Sequence, residues 1–264
     1  MRTLISGSDE QGVLTLCMNR PEVHNAFDAE MIRELTTALQ AADKDKTVRM
    51  VVITGTGSCF SAGADLNWMR SQVMASQDEN EGDALRLAEL MRSLNYLSKP
   101  TIARINGAAF GGGLGLIAAC DITVAVDNAR FGLTEARLGL APAVISPYVI
   151  RRIGEANARR YFLSAERFDS QRAYDIGLIQ QSVAAEQLDE VIEESISHLL
   201  KSGPSAVAHC KKLVFKIAGH NADSQKIEDE YTARLIASLR VSGEGQEGLA
   251  AFLEKRKPDW ISDQ

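Results

Sequence analysis

The stretch RINGAAFGGGLGLIAACDITVAVD, Arg104–Asp127, carries no charge between its first residue and Asp121. Such a run fits a membrane segment, a nucleotide-binding turn, or a backbone cradle for an anion. Length removes the first. Asn106–Cys120 falls short of the roughly 20 apolar residues a spanning helix needs, and extending it would bury Arg104 or Asp121. Gly113, Gly115 and Ala118 satisfy G-x-G-x-x-[GA] after a strand-like TIARI, and Asp127 ends the next strand, where a ribose-binding acid would sit. The helix expected over Gly112–Ala119 is short for that fold, and the motif lies mid-chain. A close-packed core helix would also use glycines. It leaves unexplained why Gly111, Gly112 and Gly113 stand in a row directly after an extended strand. At a helix start such residues offer unpaired, unhindered N–H groups along the positive end of the dipole. That arrangement suits a developing oxyanion.

Strand and helix patterns alternate around this stretch. GVLTLCM (Gly12–Met18) and RMVVIT (Arg49–Thr54) are short, apolar and rich in β-formers. Between them Met31, Leu35, Ala38, Leu39 and Ala42 recur at helical spacing behind Asp28, a candidate N-cap. A loop over Gly55–Asp65 and a polar, mobile segment near Ser76–Asp83 are expected next, then a helix through Leu85, Leu87, Leu90, Met91 and Leu94. TIARI (Thr101–Ile105) and ITVAV (Ile122–Val126) read as strands. Beyond about residue 185 the strands stop, and helical patterns follow, one pair broken at Gly203–Pro204. This order predicts an α/β core over residues 1–185 and a helical region over 186–264.

Composition narrows the function classes. The chain has 264 residues, 45% hydrophobic and 24% charged, an ordinary balance for a globular protein. A net charge of -6 gives no general attraction to nucleic acid or anionic lipid. Cys17, Cys59, Cys120 and Cys210 are scattered, and the four histidines show no H-x-x-x-H or H-E-x-x-H, so no protein-held metal is expected. The opening MRTLISGSDEQG turns polar almost at once, and scattered thiols fit a reducing compartment, so a cytoplasmic location is expected.

An oxyanion cradle needs a second donor, and GTGSCFSAGADL (Gly55–Leu66) supplies small residues after a strand and before a helical turn. The pair CFSAGADL and INGAAFGGGLGLIAACD closely resembles the enoyl-CoA hydratase/isomerase (crotonase) superfamily. Agreement continues through NRPEVHNAF (Asn19–Phe27), ARFGLTEARLGLAP (Ala129–Pro142) and FLEKRKPDW (Phe252–Trp260), almost the whole chain. The resemblance implies a crotonase-like spiral of β-β-α repeats with a C-terminal helical oligomerisation region. Trimers, or hexamers built as dimers of trimers, are implied with it.

By the same resemblance, the backbone N–H groups of Ala64 and Gly112 bind a thioester carbonyl oxygen. Glu135, in FGLTEARLGL, is the catalytic carboxylate. Ala62, Ala64, Asp65 and Leu66 lie along the adenine of CoA, mainly through backbone groups. Lys255, with Arg256 and Lys257, and Arg20 of the N-R-P motif are candidate CoA contacts. CoA is part of the substrate, so no separate cofactor is implied.

Gly115 departs from the pattern of the two-glutamate hydratases, which carry GGG-x-E where this chain reads GGGLG. A single carboxylate suffices to move a proton between C2 and C4, the Δ3,Δ2-enoyl-CoA isomerase reaction. Yet LGLAPAVISPYVIRRIG and RRYFLSAERF resemble bacterial 3-methylglutaconyl-CoA hydratases and related hydratases of terpenoid breakdown. Glu135 would then hold the attacking water, aided by a second polar group or a substrate carboxylate. A glutaconyl chain calls for a nearby cation, and Arg70, Arg151 and Arg152 are the candidates. RNA binding, known for a mammalian relative through a lysine-rich helix, is disfavoured here. The matching helix DAEMIRELTTALQAADKDK has no lysine before Lys44.

Overall fold

The computed structural model describes residues 3–262. The chain opens with a hairpin, β1 (Leu4–Ser8) and β2 (Val13–Met18), then α1 (Ala29–Lys44). Asp28 caps α1 by accepting from the Met31 N–H at 2.8 Å, and Met31, Ile32, Leu35, Leu39 and Ala42 face inward. The chain then winds between two sheets. Strand β3 (Met50–Gly55) lies in a large sheet and β4 (Cys59–Ser61) in a small one; helices α2 (Leu66–Met74) and α3 (Gln77–Asn95) lead back. The next turn is β5 (Thr101–Ile105), β6 (Ala108–Phe110) and α4 (Gly112–Ala119). The third is β7 (Ile122–Val126), β8 (Arg130–Gly132), a 3-10 turn over Glu135–Leu138, and α5 (Ser146–Ser164). Then come β9 (Arg167–Asp169), α6 (Ser170–Asp175) and β10 (Gln181–Val183).

The large sheet has strand order β1-β2-β3-β5-β7-β10, antiparallel at β1/β2 and parallel elsewhere; the small sheet runs β4-β6-β8-β9. Each parallel step needs a crossover, and the repeated strand–strand–helix turn provides it. Every residue of β3 is buried, as the pattern of a strand covered on both faces requires.

The segment near Ser76–Asp83 forms the cap and first turns of α3. Ser76 accepts from the Glu79 N–H while the Glu79 carboxylate accepts from the Ser76 N–H, a reciprocal cap for α3. Asn80 is fully buried and donates to the carbonyl oxygens of Gln72, Ala75 and Ser76. Its polarity serves internal hydrogen bonds that periodicity does not register.

After Val183 the described chain is helical: α7 (Leu188–Leu200), α8 (Pro204–Ile217), α9 (Ala222–Arg240) and α10 (Gly243–Glu254). Helix α9 packs along α3, and α10 packs on α2 and the Glu135–Leu138 turn. The helical region therefore closes over the core and helps to build its cavity. Among the described residues, no helix is long and apolar enough to cross a membrane.

Candidate active site

A cavity of about 540 Å³ lies between the two sheets' loops and the C-terminal helices. Ala62–Leu66, Gly111, Gly112 and Glu135 all line it, so the structure brings these residues together. Two loops make its floor. A methyl group built on Gly63, at φ +88°, would lie 3.0 Å from the Phe110 carbonyl oxygen and 3.7 Å from Gly111 Cα. The chains thus approach too closely for a side chain, and the left-handed backbone favours glycine as well.

Phe27 braces both loops. Its N–H donates to the Gly63 carbonyl at 2.6 Å, and its carbonyl accepts from the Asp65 N–H at 2.8 Å, pairing it in parallel with Ala64. Extended backbone alternates, so the Ala64 N–H faces away from Phe27; it donates to no other group among the described residues. The Phe27 ring lies against Gly112, 2.7 Å from where a methyl group there would sit. Gly112 is the first residue of α4, so its N–H has no intrahelical acceptor. Two backbone donors therefore flank one cavity.

Glu135 arrives from the third turn. The Gly111 N–H donates to the Gly132 carbonyl at 3.1 Å, which sets β8 beside β6 and leaves Glu135 three residues on. A methyl group on Gly111 would lie 3.1 Å from Glu135 Oε1, so the carboxylate sits beside the glycine turn. Its Oε2 is buried without a hydrogen-bond partner. Burial raises its pKa from 4.5 to about 7, while a hydrogen bond from its own backbone N–H pulls the other way. A carboxylate of that kind exchanges protons near neutral pH.

Arg20 stands behind the wall. Its guanidinium pairs with Asp65 at 3.0 Å and Asp28 at 3.1 Å, and donates to the Ala26 carbonyl at 2.7 Å. The Asp65 carboxylate also caps α2 through the Asn67 and Trp68 N–H groups. Both side chains are thereby committed to the loop, whose residues Ala62–Leu66 line the cavity. Leu66 is half exposed at the rim. Lys255 ends α10 in a left-handed conformation outside the cavity wall, three residues past the wall residue Phe252. Arg256 is paired with Glu247 and Glu254.

Gly115 is buried in α4 against Ile145 and Met91 and does not line the cavity. This removes the dinucleotide reading, whose second glycine must approach a phosphate. Of the three candidate cations, Arg70 lines the cavity rim, exposed. Arg151 instead pairs with Glu228, and Arg152 donates to the carbonyls of Cys120 and Leu178. Sequence reasoning missed the buried polar wall residues Gln72 and Arg240. A signal for Arg240 existed: it continues the inward stripe Gln225, Asp229, Ala233, Ile236 of α9.

The sequence matches the enoyl-CoA hydratase/isomerase family over residues 8–263. The fold superposes on the crystal structure of an enoyl-CoA hydratase from Shewanella pealeana with a TM-score of 0.80 and 42% identity, over 98% of this chain and 96% of that one. For an enoyl-CoA hydratase from Mycobacterium avium the TM-score is 0.86 at 35% identity, over 98% and 99% of the two chains. The 2,3-dehydroadipyl-CoA hydratase of Escherichia coli is 32% identical over 254 residues, 96% of each chain. Matched along nearly its full length in sequence and in fold, the chain belongs to the enoyl-CoA hydratase/isomerase family, and its relatives support hydration of enoyl-CoA thioesters as its activity.

Proposed function

We propose that the chain adds water across the C2=C3 bond of a branched or carboxylated enoyl-CoA, with 3-methylglutaconyl-CoA as the leading substrate. The observation that carries this is the buried, unpartnered Oε2 of Glu135 beside two uncommitted backbone N–H groups. In this reading the N–H groups of Ala64 and Gly112 hold the thioester oxygen. Glu135, ionised, takes a proton from water as its oxygen bonds to C3, and the C2=C3 π electrons move into the thioester as an enolate. The proton on Glu135 then passes to C2, which restores the thioester and the free carboxylate. No metal is needed, because two fixed amides stabilise the enolate.

A carboxylated acyl chain is supported by the likeness of LGLAPAVISPYVIRRIG to methylglutaconyl-CoA hydratases. A relative named for 2,3-dehydroadipyl-CoA supports it too, an acyl group that also ends in a carboxylate. CoA would lie along Ala62–Leu66, with Lys255 near its phosphates from the same or an adjacent subunit. Association into trimers or hexamers is supported by the exposed apolar side chains Leu213, Val214 and Ile217 of α8 and Tyr231 of α9.

A second reading, Δ3,Δ2-enoyl-CoA isomerisation, follows from Gly115, which leaves Glu135 without the second acid of the two-glutamate hydratases. A panel of thioesters separates them. Hydration removes the conjugated-enoyl absorbance of 2-enoyl substrates, whereas isomerisation creates it from 3-enoyl substrates. Isomerisation without hydration of 3-methylglutaconyl-CoA or its longer analogues would overturn the preferred reading.

A further inference from the structure

Two polar side chains of the cavity wall take no part in the chemistry at Glu135. Arg240, the last residue of α9, is 8% exposed, and among the described residues it forms no ion pair. Its Nη1 makes two long contacts with Asn80, 3.5 Å to the carbonyl oxygen and 3.4 Å to Oδ1. Asp83, the acid whose charge reaches it, is ion-paired with Arg86. Burial pushes the Arg240 pKa down to about 10, so the guanidinium stays charged at neutral pH. Gln72, in the last turn of α2, is 3% exposed, and its Nε2 is buried without a hydrogen-bond partner.

The two are held together. Asn80 accepts from Arg240 and donates to the Gln72 carbonyl at 3.0 Å. Gln246 Nε2 donates to the Arg240 carbonyl at 2.6 Å and to the Val73 carbonyl at 3.3 Å. Helices α2, α3, α9 and α10 thus fix one corner of the cavity. The same cavity is also lined by the apolar Ile236 and Leu249. A buried cation without an ion-pair partner and an amide without an acceptor are both costly. The cost is relieved when an anion from outside the chain completes the site.

We propose that Arg240 and Gln72 form a carboxylate-binding subsite that selects enoyl-CoA thioesters whose acyl chain ends in a carboxylate. A guanidinium matches a carboxylate with two parallel N–H donors, and the amide supplies a third. The proposal rests on reading the cavity as an acyl-CoA site and names the class of acyl group it takes. It assigns the cation to a residue on the last turn of α9, away from Arg70, Arg151 and Arg152.

The test reads binding apart from turnover. Full-length enzyme is titrated with two saturated, non-reacting thioesters of equal chain length, glutaryl-CoA and pentanoyl-CoA. The unmodified enzyme is expected to prefer glutaryl-CoA by about 10- to 100-fold. Arg240→Met, which keeps the length and removes the charge, abolishes that preference; Arg240→Lys keeps part of it. Gln72→Leu, which leaves the guanidinium in place, reduces it and serves if Arg240→Met melts early. Equal binding of the two thioesters by the unmodified enzyme, or an unchanged preference in both Arg240→Met and Gln72→Leu, overturns the proposal. The hydratase reading fails separately, if neither glutaconyl-CoA nor crotonyl-CoA gains water while the binding preference stands.

Discussion

The side chain of Ile145 occupies the space beside the α-carbon of Gly115. A methyl group built on that glycine would lie 3.0 Å from Ile145 Cβ and 3.1 Å from Met91 Cε. Ile145 is 3% exposed, stands at the start of α5 and contributes to the cavity wall. On the reading that Gly115 stands where two-glutamate hydratases carry their second acid, the apolar side chains of Ile145 and Met91 crowd that place. A larger residue there requires Ile145 to shift.

Gly115→Ala is expected to destabilise the protein by about 1–3 kcal/mol through overpacking. Gly115→Glu costs more, because it adds a buried carboxylate to the same clash. Ile145→Ala removes the obstacle, so Gly115→Glu/Ile145→Ala should be more stable than the two separate losses predict, by about 1 kcal/mol or more. Urea unfolding of the four proteins measures that coupling. Additive losses would show that Ile145 does not close the position.

Glu135→Gln removes the proton-exchanging group and keeps its size. Turnover of an enoyl-CoA substrate should fall by about 10²–10⁴, with binding of a saturated acyl-CoA held within a few-fold. Ala64 and Gly112 act through backbone N–H groups in this reading, so side-chain substitution there is the weaker probe. Near-normal turnover in Glu135→Gln would remove the proposed chemistry, hydration and isomerisation alike.

Glycine spacing and strand alternation make the two loops and the helix α4 legible in the amino-acid sequence itself. Gly112–Ala119 and both neighbouring strands, Thr101–Ile105 and Ile122–Val126, fall where the pattern puts them. The strands of the small sheet escaped, because Cys59–Ser61, Ala108–Phe110 and Arg130–Gly132 are too short to show a period. Asn80, Gln72 and Arg240 escaped for a different reason. Each is polar and buried, and hydrophobic patterning assigns polar residues to solvent. Arg20 reads as a free cation in N-R-P, since its acidic partners Asp28 and Asp65 are distant in sequence or split between loops.

The raised pKa of Glu135 fixes the sign of two pH effects. The folded protein holds this proton up to about 7, whereas the unfolded chain releases it near 4.5. Stability therefore falls as pH rises from about 4.5 to about 7, and the penalty, about 3 kcal/mol, is complete above that. Glu135→Gln cannot ionise, so its stability relative to the unmodified protein should climb across the same window. Unfolding at pH 5 and pH 8 tests this, and a difference independent of pH would contradict it. For hydration the carboxylate must be ionised, so kcat/KM should rise with pH and level off above about 7.

Arg20 separates loop support from direct CoA binding. Its side chain is 17% exposed and that of Asp65 4%, so removing the cation strands a buried carboxylate beside the Ala64 donor. Arg20→Met is expected to cost about 2–4 kcal/mol, toward the lower side of a fully buried pair. If Arg20 holds the loop, misplacing the Ala64 N–H lowers kcat, because an oxyanion donor acts most strongly in the transition state. The KM for acyl-CoA then changes little. A phosphate ligand gives the opposite split, a raised KM with kcat kept. Steady-state kinetics of Arg20→Met, with thermal melts to confirm folding, therefore decide between the two, and a selective rise in KM would return Arg20 to the CoA site.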